Sequence, residues 1–134
     1  MTWVYQGQEL TEIPLDGVIG FVYKIKNEVN GRLYLGKKNF FASKTRQVKK
    51  KKKRYKVESD WKSYYGSNEE LQADVARLGA ENFTREILFL CKSKGEMSYR
   101  ETQIILNEGA LLSPLWYNSW VSCKIHAKHL KGMV

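Results

Sequence analysis

The stretch "VYKIKNEVNGRLYLGKK", residues 22–38, decides the fold of this chain. From residue 18 to residue 26 apolar and polar side chains alternate, which is typical of a β-strand with one buried face. Residues 32–37 have the composition of a partner strand, and Asn30-Gly31 between the two is a common hairpin turn. The sequence therefore predicts an antiparallel hairpin.

Each arm of this hairpin carries one tyrosine, Tyr23 or Tyr34. A turn centred on residues 28–29 would pair them directly, with Cβ atoms about 5 Å apart, whereas a two-residue turn at 30–31 would offset them by four positions along the ladder. Both registers place the two phenols on the same face, because strand side chains alternate with period two. Aromatic packing explains such a pair. Beside lysines at 37–38, however, a phenol can also donate to a phosphate or, with a lowered pKa, accept a proton from water.

The rest of the chain alternates helical and extended segments. Ser67 with Glu70, and Ser93 with Glu96, form the spacing of helix capping boxes, and a glycine follows each apolar stripe that comes after them. The predicted elements are a helix over 68–78, a buried strand over 82–91, a second helix over 96–108, a loop with one short strand over 113–125 and a weak helical tail over 126–134.

Length and composition indicate one α+β domain over residues 1–134, with a Lys-rich insertion at 46–56 and a C-terminal tail at 119–134. The chain has 134 residues, 43% of them hydrophobic, which suffices for a single core. Neither a secretory signal nor a run of about 20 apolar residues occurs, so we expect a soluble, cytoplasmic protein without a membrane partner. Cys91 and Cys123 are too few for a disulfide framework and are expected to be reduced.

The net charge of +9 is concentrated in residues 46–56, "RQVKKKKKRYK", which hold eight basic residues and no acidic one. The remaining 15 basic and 14 acidic residues nearly balance. A dense cationic strip on a neutral body indicates a polyanionic partner, most commonly nucleic acid, and a nuclear localisation signal is a third interpretation beside a merely solvated loop. We expect the strip to be disordered when free, because like charges repel.

A carboxylate lies on the buried face of the second predicted helix. Met97, Ile104 and Ile105 form its apolar stripe, and Glu101 lies one helical turn from each of them. A buried unpaired charge is costly, so Glu101 needs a cationic partner, a metal ion or a raised pKa. The alternative is an edge carboxylate paired with a lysine or arginine at the rim.

With these features together, the chain resembles the GIY-YIG nucleases. "FVY" at 21–23 corresponds to the family's Gly-Ile-Tyr motif and "YLG" at 34–36 to its Tyr-Ile-Gly motif, at the usual spacing of about ten residues. Further along the chain, "YGSNEELQADVARLGAENFTREIL", "YRETQII" and "LWYN" match the middle helix with the third strand, the catalytic-glutamate helix and the Gly-Tyr-Asn segment. The match covers residues 20–118.

The resemblance implies an α/β domain with a three-stranded antiparallel sheet flanked by helices, which hydrolyses phosphodiester bonds with one Mg²⁺ or Mn²⁺ ion. It makes Tyr23 a general base or a positioner of the attacking water, and Tyr34 a second phenol at the scissile phosphate. Glu101 would hold the metal, and Asn118 would support the site from the C-terminal side. Such a cation can polarise the phosphate and stabilise the leaving oxygen.

Two departures from the family pattern stand out. Phe21 replaces the first glycine, which a strand tolerates because the third position of the motif carries the functional side chain. The family's arginine falls near Lys44 and Arg46, and we assign it to Arg46 because a guanidinium can clamp a phosphate with two hydrogen bonds. Tyr64 or Tyr65 could replace a further family tyrosine or histidine, although packing explains both equally well.

We therefore predict a metal-dependent DNA endonuclease of the compact, phage-borne or restriction-like kind. The tryptophans at 61, 116 and 120 are predicted to pack in the core or at its edge rather than to serve as platforms for base stacking. The competing hypotheses are a catalytically inactive, basic nucleic-acid-binding protein on the same scaffold and a structural RNA-binding protein. The predicted contacts to double-stranded DNA are Lys37, Lys38, Lys44, Lys49, Lys50, Lys51, Lys52, Lys53, Arg54 and Lys56.

Overall fold

The computed structural model describes residues 2–133, so Met1 and Val134, the two ends of the predicted domain, lie outside it. It contains a mixed five-stranded sheet, a separate β-hairpin and two α-helices. In chain order the elements are β1 (Trp3–Tyr5), β2 (Gln8–Leu10), β3 (Gly20–Asn27), β4 (Leu33–Asn39), β5 (Phe41–Val48), β6 (Lys51–Glu58), α1 (Glu69–Leu78), β7 (Phe83–Cys91) and α2 (Lys94–Asn107).

The sheet has the strand order β2-β1-β7-β3-β4. All neighbours are antiparallel except β1 and β7, which are parallel. The expected three-stranded antiparallel sheet is present as β7-β3-β4, but a sheet of only three strands was wrong, because β1 and β2 extend it on the β7 side. Strands of three residues are too short for an alternating pattern to stand out in the sequence.

The β3–β4 hairpin adopts a register between the two that the sequence allowed. Tyr23 faces Gly36, and Tyr34 faces Ile25. The loop is closed by Asn27, whose side-chain oxygen accepts a hydrogen bond from the Val29 amide at 2.9 Å while its backbone amide donates to Arg32 O at 2.8 Å. Since the offset between the tyrosines is even, they still share a face, as predicted.

Both faces of the sheet centre are buried. On the face that carries Tyr23, residues of β3 and α1 belong to one apolar cluster, which includes the aromatic side chains Trp3, Trp61 and Phe83. On the opposite face, α2 contributes Met97 and Ile105 to a second cluster. The sheet therefore separates two layers, and strand β4 forms its edge between them.

The helices begin and end close to the predicted residues. Ser93 caps α2, and its hydroxyl accepts a hydrogen bond from the Glu96 amide at 3.1 Å. The cap of α1 is Asn68 rather than Ser67, because the Asn68 side chain accepts from the Leu71 amide at 2.9 Å. The predicted capping box at Ser67 was therefore wrong by one residue, while the helix itself is confirmed.

The basic strip is folded, so the expectation of disorder was wrong. Strands β5 and β6 form an antiparallel hairpin of their own, in which Arg46 pairs with Lys53 in the ladder. The turn consists of Lys49 and Lys50, both with positive φ (48° and 64°). Most of its side chains are exposed, so backbone hydrogen bonds hold it together and the charges of neighbouring lysines oppose it.

The C-terminal part follows the edge of β4 and then crosses α2. Trp116 forms a parallel bridge with Leu33 in place of the short strand that the sequence predicted. Ala127–Met133 forms a 3₁₀ helix, where a helical tail was expected. Both cysteines are free thiols, Cys91 buried and Cys123 exposed. Among residues 2–133, none of the helices has the length and apolar character needed to cross a bilayer.

Candidate active site

A cavity of about 280 Å³ opens at the edge of β4. Its walls come from β4, the residues just before α1, the side of α2 that faces β4 and the segment after Tyr117. The lining residues are Tyr34, Leu35, Lys37, Ser67, Asn68, Glu101, Ile105, Asn118, Ser119, Trp120, Val121 and Ser122.

Side chains from both faces of the sheet meet at this edge. Tyr34 belongs to the α1 face, where it packs against the aromatic cluster. Lys37 lies on the α2 face, and its ammonium donates to Ser98 Oγ of α2 at 2.8 Å. Glu101 is one helical turn beyond Ser98. Only an edge strand can bring groups from two opposite layers to one cavity, because a central strand would separate them.

Gly36 allows this close approach. A Cβ atom at residue 36 would lie 2.4 Å from the Tyr23 hydroxyl and 3.1 Å from the Tyr34 ring. The Tyr23 side chain is fully buried and crosses the strand directly over Gly36. The glycine is thus required because the phenol occupies the space of its missing side chain.

Within the described part of the chain the hydroxyl of Tyr23 has no hydrogen-bond partner of acceptable distance and angle, although the Tyr64 hydroxyl lies nearby and interacts with it. Burial raises the pKa of Tyr23 well above its ordinary value, and the neighbouring phenols of Tyr64 and Tyr34 raise it further. The Tyr64 ring stands edge-on to it, with centroids 6.0 Å apart. A buried hydroxyl without a partner costs about 1–3 kcal/mol, which proteins tolerate chiefly where function requires the group.

Tyr34 presents the accessible phenol. Its ring centroid lies 6.2 Å from that of Tyr23, and its hydroxyl shares a hydrogen bond of 3.1 Å with Ser67 Oγ. Burial raises the pKa of Tyr34, and the bond to Ser67 opposes this change. At neutral pH both phenols are therefore protonated and can donate hydrogen bonds.

Glu101 is a half-buried carboxylate in the wall of this cavity. Burial raises the pKa of Glu101, while the charge of Lys37 lowers it. It forms neither a hydrogen bond nor an ion pair with any of residues 2–133. The sequence allowed Glu101 to pair with a lysine or arginine at the rim, and this ion pair is not formed within residues 2–133. The raised pKa, which was another of the alternatives, is the one that the structure supports.

A single carboxylate suits a hard divalent cation that retains several waters and also binds substrate phosphate oxygens. Among residues 2–133 there is no group of three or more His, Cys, Asp or Glu side chains arranged to enclose a metal ion. A cation here would be held by Glu101 alone on the protein side. The unpaired carboxylate, open to the cavity, fits that role.

Asn118 fixes the far wall of the cavity. Its side-chain oxygen accepts from the Leu35 amide at 2.9 Å, and its side-chain nitrogen donates to Leu35 O at 2.8 Å. One step earlier, the Tyr117 amide donates to Leu33 O at 2.7 Å. The Asn118 amide therefore continues a strand-like ladder along the edge of β4 and ends it beside the cavity.

The remaining predicted site residues lie away from the cavity. Arg46 and Lys44 are exposed on β5, and the Arg46 guanidinium lies 5.5 Å from the Tyr55 ring centroid. Neither side chain lines the cavity. The lysines of residues 49–53 occupy the tip of the hairpin and the first part of β6. The nearest of the predicted cations is Lys37, which was expected only to contact DNA.

A second, larger groove of about 820 Å³ runs from the cavity to the hairpin. Lys37 lines both, so the two are adjacent. Five cations line the groove: Lys37, Lys38, Arg54, Lys56 and Lys94. Lys38 also lies over the Tyr64 ring, 4.2 Å from its centroid. Lys94, at the start of α2, carried no signal in the sequence that would have assigned it to this surface.

The prediction for the tryptophans holds for two of the three. Trp61 is fully buried and Trp116 is 8% exposed, but Trp120 is 73% exposed. Trp120 lines the cavity together with Tyr34 and Glu101. The sequence could not distinguish Trp120 from the buried tryptophans. Trp120 lies in an irregular segment, which has no regular side-chain period, so only the path of the backbone determines whether its side chain points outward.

In a comparison with protein families the chain matches the family described as "Putative endonuclease segE, GIY-YIG domain" over residues 3–121. A search of curated proteins found no match, and neither did a search of solved structures. The family match includes both tyrosines, Glu101 and Asn118, and it covers most of the chain. The chain belongs to the GIY-YIG endonuclease family.

Proposed function

We propose that this protein is a metal-dependent DNA endonuclease whose site is the cavity at the edge of β4. The observation that carries the proposal is the juxtaposition of Glu101, an unpaired carboxylate, with the Tyr34 phenol and the Lys37 ammonium in one cavity. A carboxylate that can bind a metal ion, a hydrogen-bond donor and a fixed cation can together stabilise the charge that develops when a phosphodiester is hydrolysed.

Glu101 would bind Mg²⁺ or Mn²⁺, which, when bound, supplies the charge that polarises the scissile phosphate and stabilises the leaving oxygen. Tyr34 donates a hydrogen bond to a phosphate oxygen, and Lys37 neutralises part of the phosphate charge. Asn118 holds the edge strand in place, so that Tyr34 stays in position. These roles keep the assignments of Tyr34, Glu101 and Asn118 that the family resemblance implies.

Tyr23 acts as a positioning group in this proposal. Its phenol is neutral at physiological pH, because burial raises its pKa, and a protonated phenol cannot accept the proton of a water molecule. Its hydroxyl is buried and Tyr23 does not line the cavity, so it would reach substrate or water only if binding opens the edge of β4 at Gly36. Of the two roles that the resemblance allows, the raised pKa supports positioning rather than removal of a proton.

The DNA backbone follows the groove from the cavity to the β5–β6 hairpin. The hairpin and the groove carry the cations predicted to contact DNA, and Arg46, which was predicted to be catalytic, joins them here as a backbone contact. The five groove cations lie between the cavity and the hairpin, and one of them, Lys38, is also paired with Asp60. If all eight basic residues at 46–56 engaged phosphates, the logarithm of the binding constant would fall with the logarithm of salt concentration with a slope of about −7.

Relaxation of supercoiled plasmid by the Glu101→Gln variant tests the proposal. The wild type should nick the plasmid with Mg²⁺ or Mn²⁺ and not with EDTA, and the variant should lose at least about a hundredfold in rate, as when an electrostatic stabiliser is removed. DNA affinity should stay unchanged. Glu108→Gln is the matched control, because Glu108 is exposed at the end of the same helix. Equal cleavage by the wild type and Glu101→Gln contradicts the assignment.

The competing function is an inactive DNA-binding protein on the same scaffold. It is favoured by one observation, that neither Arg46 nor Lys44 lines the cavity. The same plasmid assay separates the two: tight, salt-sensitive binding without cleavage under any metal condition would establish the inactive scaffold.

A further inference from the structure

Trp120 differs from the other tryptophans of the chain. Trp3, Trp61 and Trp116 are 1%, 0% and 8% exposed, whereas Trp120 is 73% exposed. A single exposed apolar side chain is ordinary on a protein surface. Trp120, however, lines the same cavity as Tyr34, Lys37 and Glu101, so its indole stands beside the proposed reaction centre.

The segment that carries Trp120 is anchored on both sides. Before it, the Asn118 amide forms two hydrogen bonds with the backbone of Leu35. After it, Val121 packs against the apolar cluster of α2, and Cys123 Sγ lies 3.7 Å from Ser98 O of the same helix. Because Val121 occupies the position that faces the core, the neighbouring Trp120 points outward. The exposure of the indole therefore follows from a fixed backbone.

The surroundings of Trp120 indicate what it binds. The groove that joins the cavity at Lys37 is lined by five cations and suits a polyanion with regularly spaced phosphates. Each nucleotide carries one base next to its phosphate, and every base has a flat apolar face. An exposed aromatic ring next to a cationic groove is the arrangement with which proteins hold single-stranded or displaced bases.

We propose that Trp120 stacks on a displaced nucleobase next to the scissile phosphate. This inference rests on the proposed function, because it assumes that nucleic acid enters the cavity. A base in a continuous duplex has neither face free, so stacking requires that the base leave the helix. The protein should therefore cut most rapidly where a base is unpaired, as in a mismatch or a bulge.

Tryptophan fluorescence tests the stacking directly, without catalysis. The protein carries the Glu101→Gln substitution and is kept in EDTA, so that DNA stays intact. Because the other three tryptophans are buried, quenching on addition of a short oligonucleotide reports mainly on Trp120. We expect an oligonucleotide with bases to quench the emission and to protect it from acrylamide. Heparin, a polyanion without bases, should bind the lysines and leave the emission unchanged.

Two substitutions at residue 120 separate stacking from packing. Trp120→Ala should weaken binding of an oligonucleotide with bases about tenfold, as for loss of one stacked base, and leave binding of an abasic oligonucleotide unchanged. Trp120→Phe should retain most of the affinity. Leu112→Ala is the matched control, because Leu112 is 92% exposed and does not line the cavity.

Three results would overturn the stacking proposal. The first two are equal quenching by heparin and by the oligonucleotide, and equal oligonucleotide affinity of Trp120→Ala and the wild type. The third is quenching without DNA that grows with protein concentration, which would show that a second copy covers the indole. Failure of the endonuclease proposal is a different result. If the wild type cleaves no DNA but oligonucleotide quenching is observed, stacking stands and the nuclease assignment does not.

Discussion

The two long antiparallel hairpins, β3–β4 and β5–β6, have similar lengths, and opposite forces govern them. In the β3–β4 hairpin, Phe21, Tyr23 and Ile25 are fully buried and pack against aromatic rings of the core. In the β5–β6 hairpin most side chains are exposed, and Arg46 faces Lys53 across the ladder. Burial stabilises the first hairpin. The second relies on its backbone ladder and is opposed by its own charge.

This difference separates the two tasks of a nuclease. The buried hairpin holds Tyr23, Gly36 and Tyr34 in a fixed arrangement, which hydrolysis of one bond requires. The exposed hairpin contributes cations without fixed partners, which suits a backbone that presents a phosphate at every nucleotide. Neutralisation by phosphates would also relieve the repulsion between its lysines, so we expect DNA to stabilise this hairpin.

The largest expected effect on stability comes from a truncation in the buried hairpin. Ile25 is fully buried, and Ile25→Ala should lower the free energy of unfolding by about 2–5 kcal/mol, the usual cost of such a cavity. Thr45→Ala, on an exposed strand position of the other hairpin, should change it by less than about 0.5 kcal/mol. Urea denaturation measures both. Similar losses for the two variants would show that the hairpins are equally important to the fold.

A glycine substitution tests the packing of Tyr23 over β4. In Gly36→Ala the new Cβ would lie 2.4 Å from the Tyr23 hydroxyl, and the surrounding core prevents the ring from moving. We expect a loss of about 1–3 kcal/mol in unfolding free energy, together with loss of plasmid cleavage. Gly132→Ala is the control, because no atom lies within 4 Å of the Cβ it would add. A Gly36→Ala variant with full stability and activity would mean that Tyr23 does not occupy this position.

Charge removal from the exposed hairpin should affect binding and leave the fold intact. With the five lysines at 49–53 replaced by Gln, the slope of the logarithm of the DNA-binding constant against the logarithm of salt concentration should fall by up to about 4.5. The free energy of unfolding should not decrease, because like charges are removed. Fluorescence anisotropy with labelled duplex at several salt concentrations measures the slope. An unchanged slope would place DNA elsewhere on the surface.

The smallest expected effect is a pH-dependent gain in stability in Glu101→Gln. Burial raises the pKa of Glu101 in the folded state, so folding favours its neutral form. The favourable contribution is complete below the unfolded pKa of about 4.3 and is lost as pH rises through the folded pKa. Glutamine resembles the neutral form, so the variant should melt at a higher temperature than the wild type at pH 7 and no higher at pH 4. Thermal melts of both proteins and of Glu108→Gln measure this difference.

The same shift bears on activity in the wild type. In the proposed mechanism Glu101 must be ionised to bind the metal, so cleavage should decline on the acid side at a pH above the pKa of an ordinary glutamate, about 4.3. A higher Mg²⁺ concentration should move this decline to lower pH, because the cation competes with the proton. A decline that is independent of Mg²⁺ concentration would point to a group other than Glu101.

The sequence by itself determined the β3–β4 hairpin, β7 and both α-helices, and it pointed to the residues of the proposed site. Alternation and turn residues located the β3–β4 hairpin, and capping residues and helical stripes located both helices. The place of Glu101 on an apolar face marked it as a candidate functional residue, because burying an unpaired charge is costly. These are local signals, because the spacing of side chains along a strand or helix fixes which of them share a face.

Only the tertiary structure decided how these parts meet. The short strands β1 and β2, the register of β3 with β4 and the folding of the basic hairpin depend on contacts or ladders that no local pattern expresses. Tertiary contacts also determine that Arg46 lies away from the cavity, that Lys37 lines it and that Trp120 points outward. Each depends on where one element lies against another, and that position is set by packing over residues far apart in the chain.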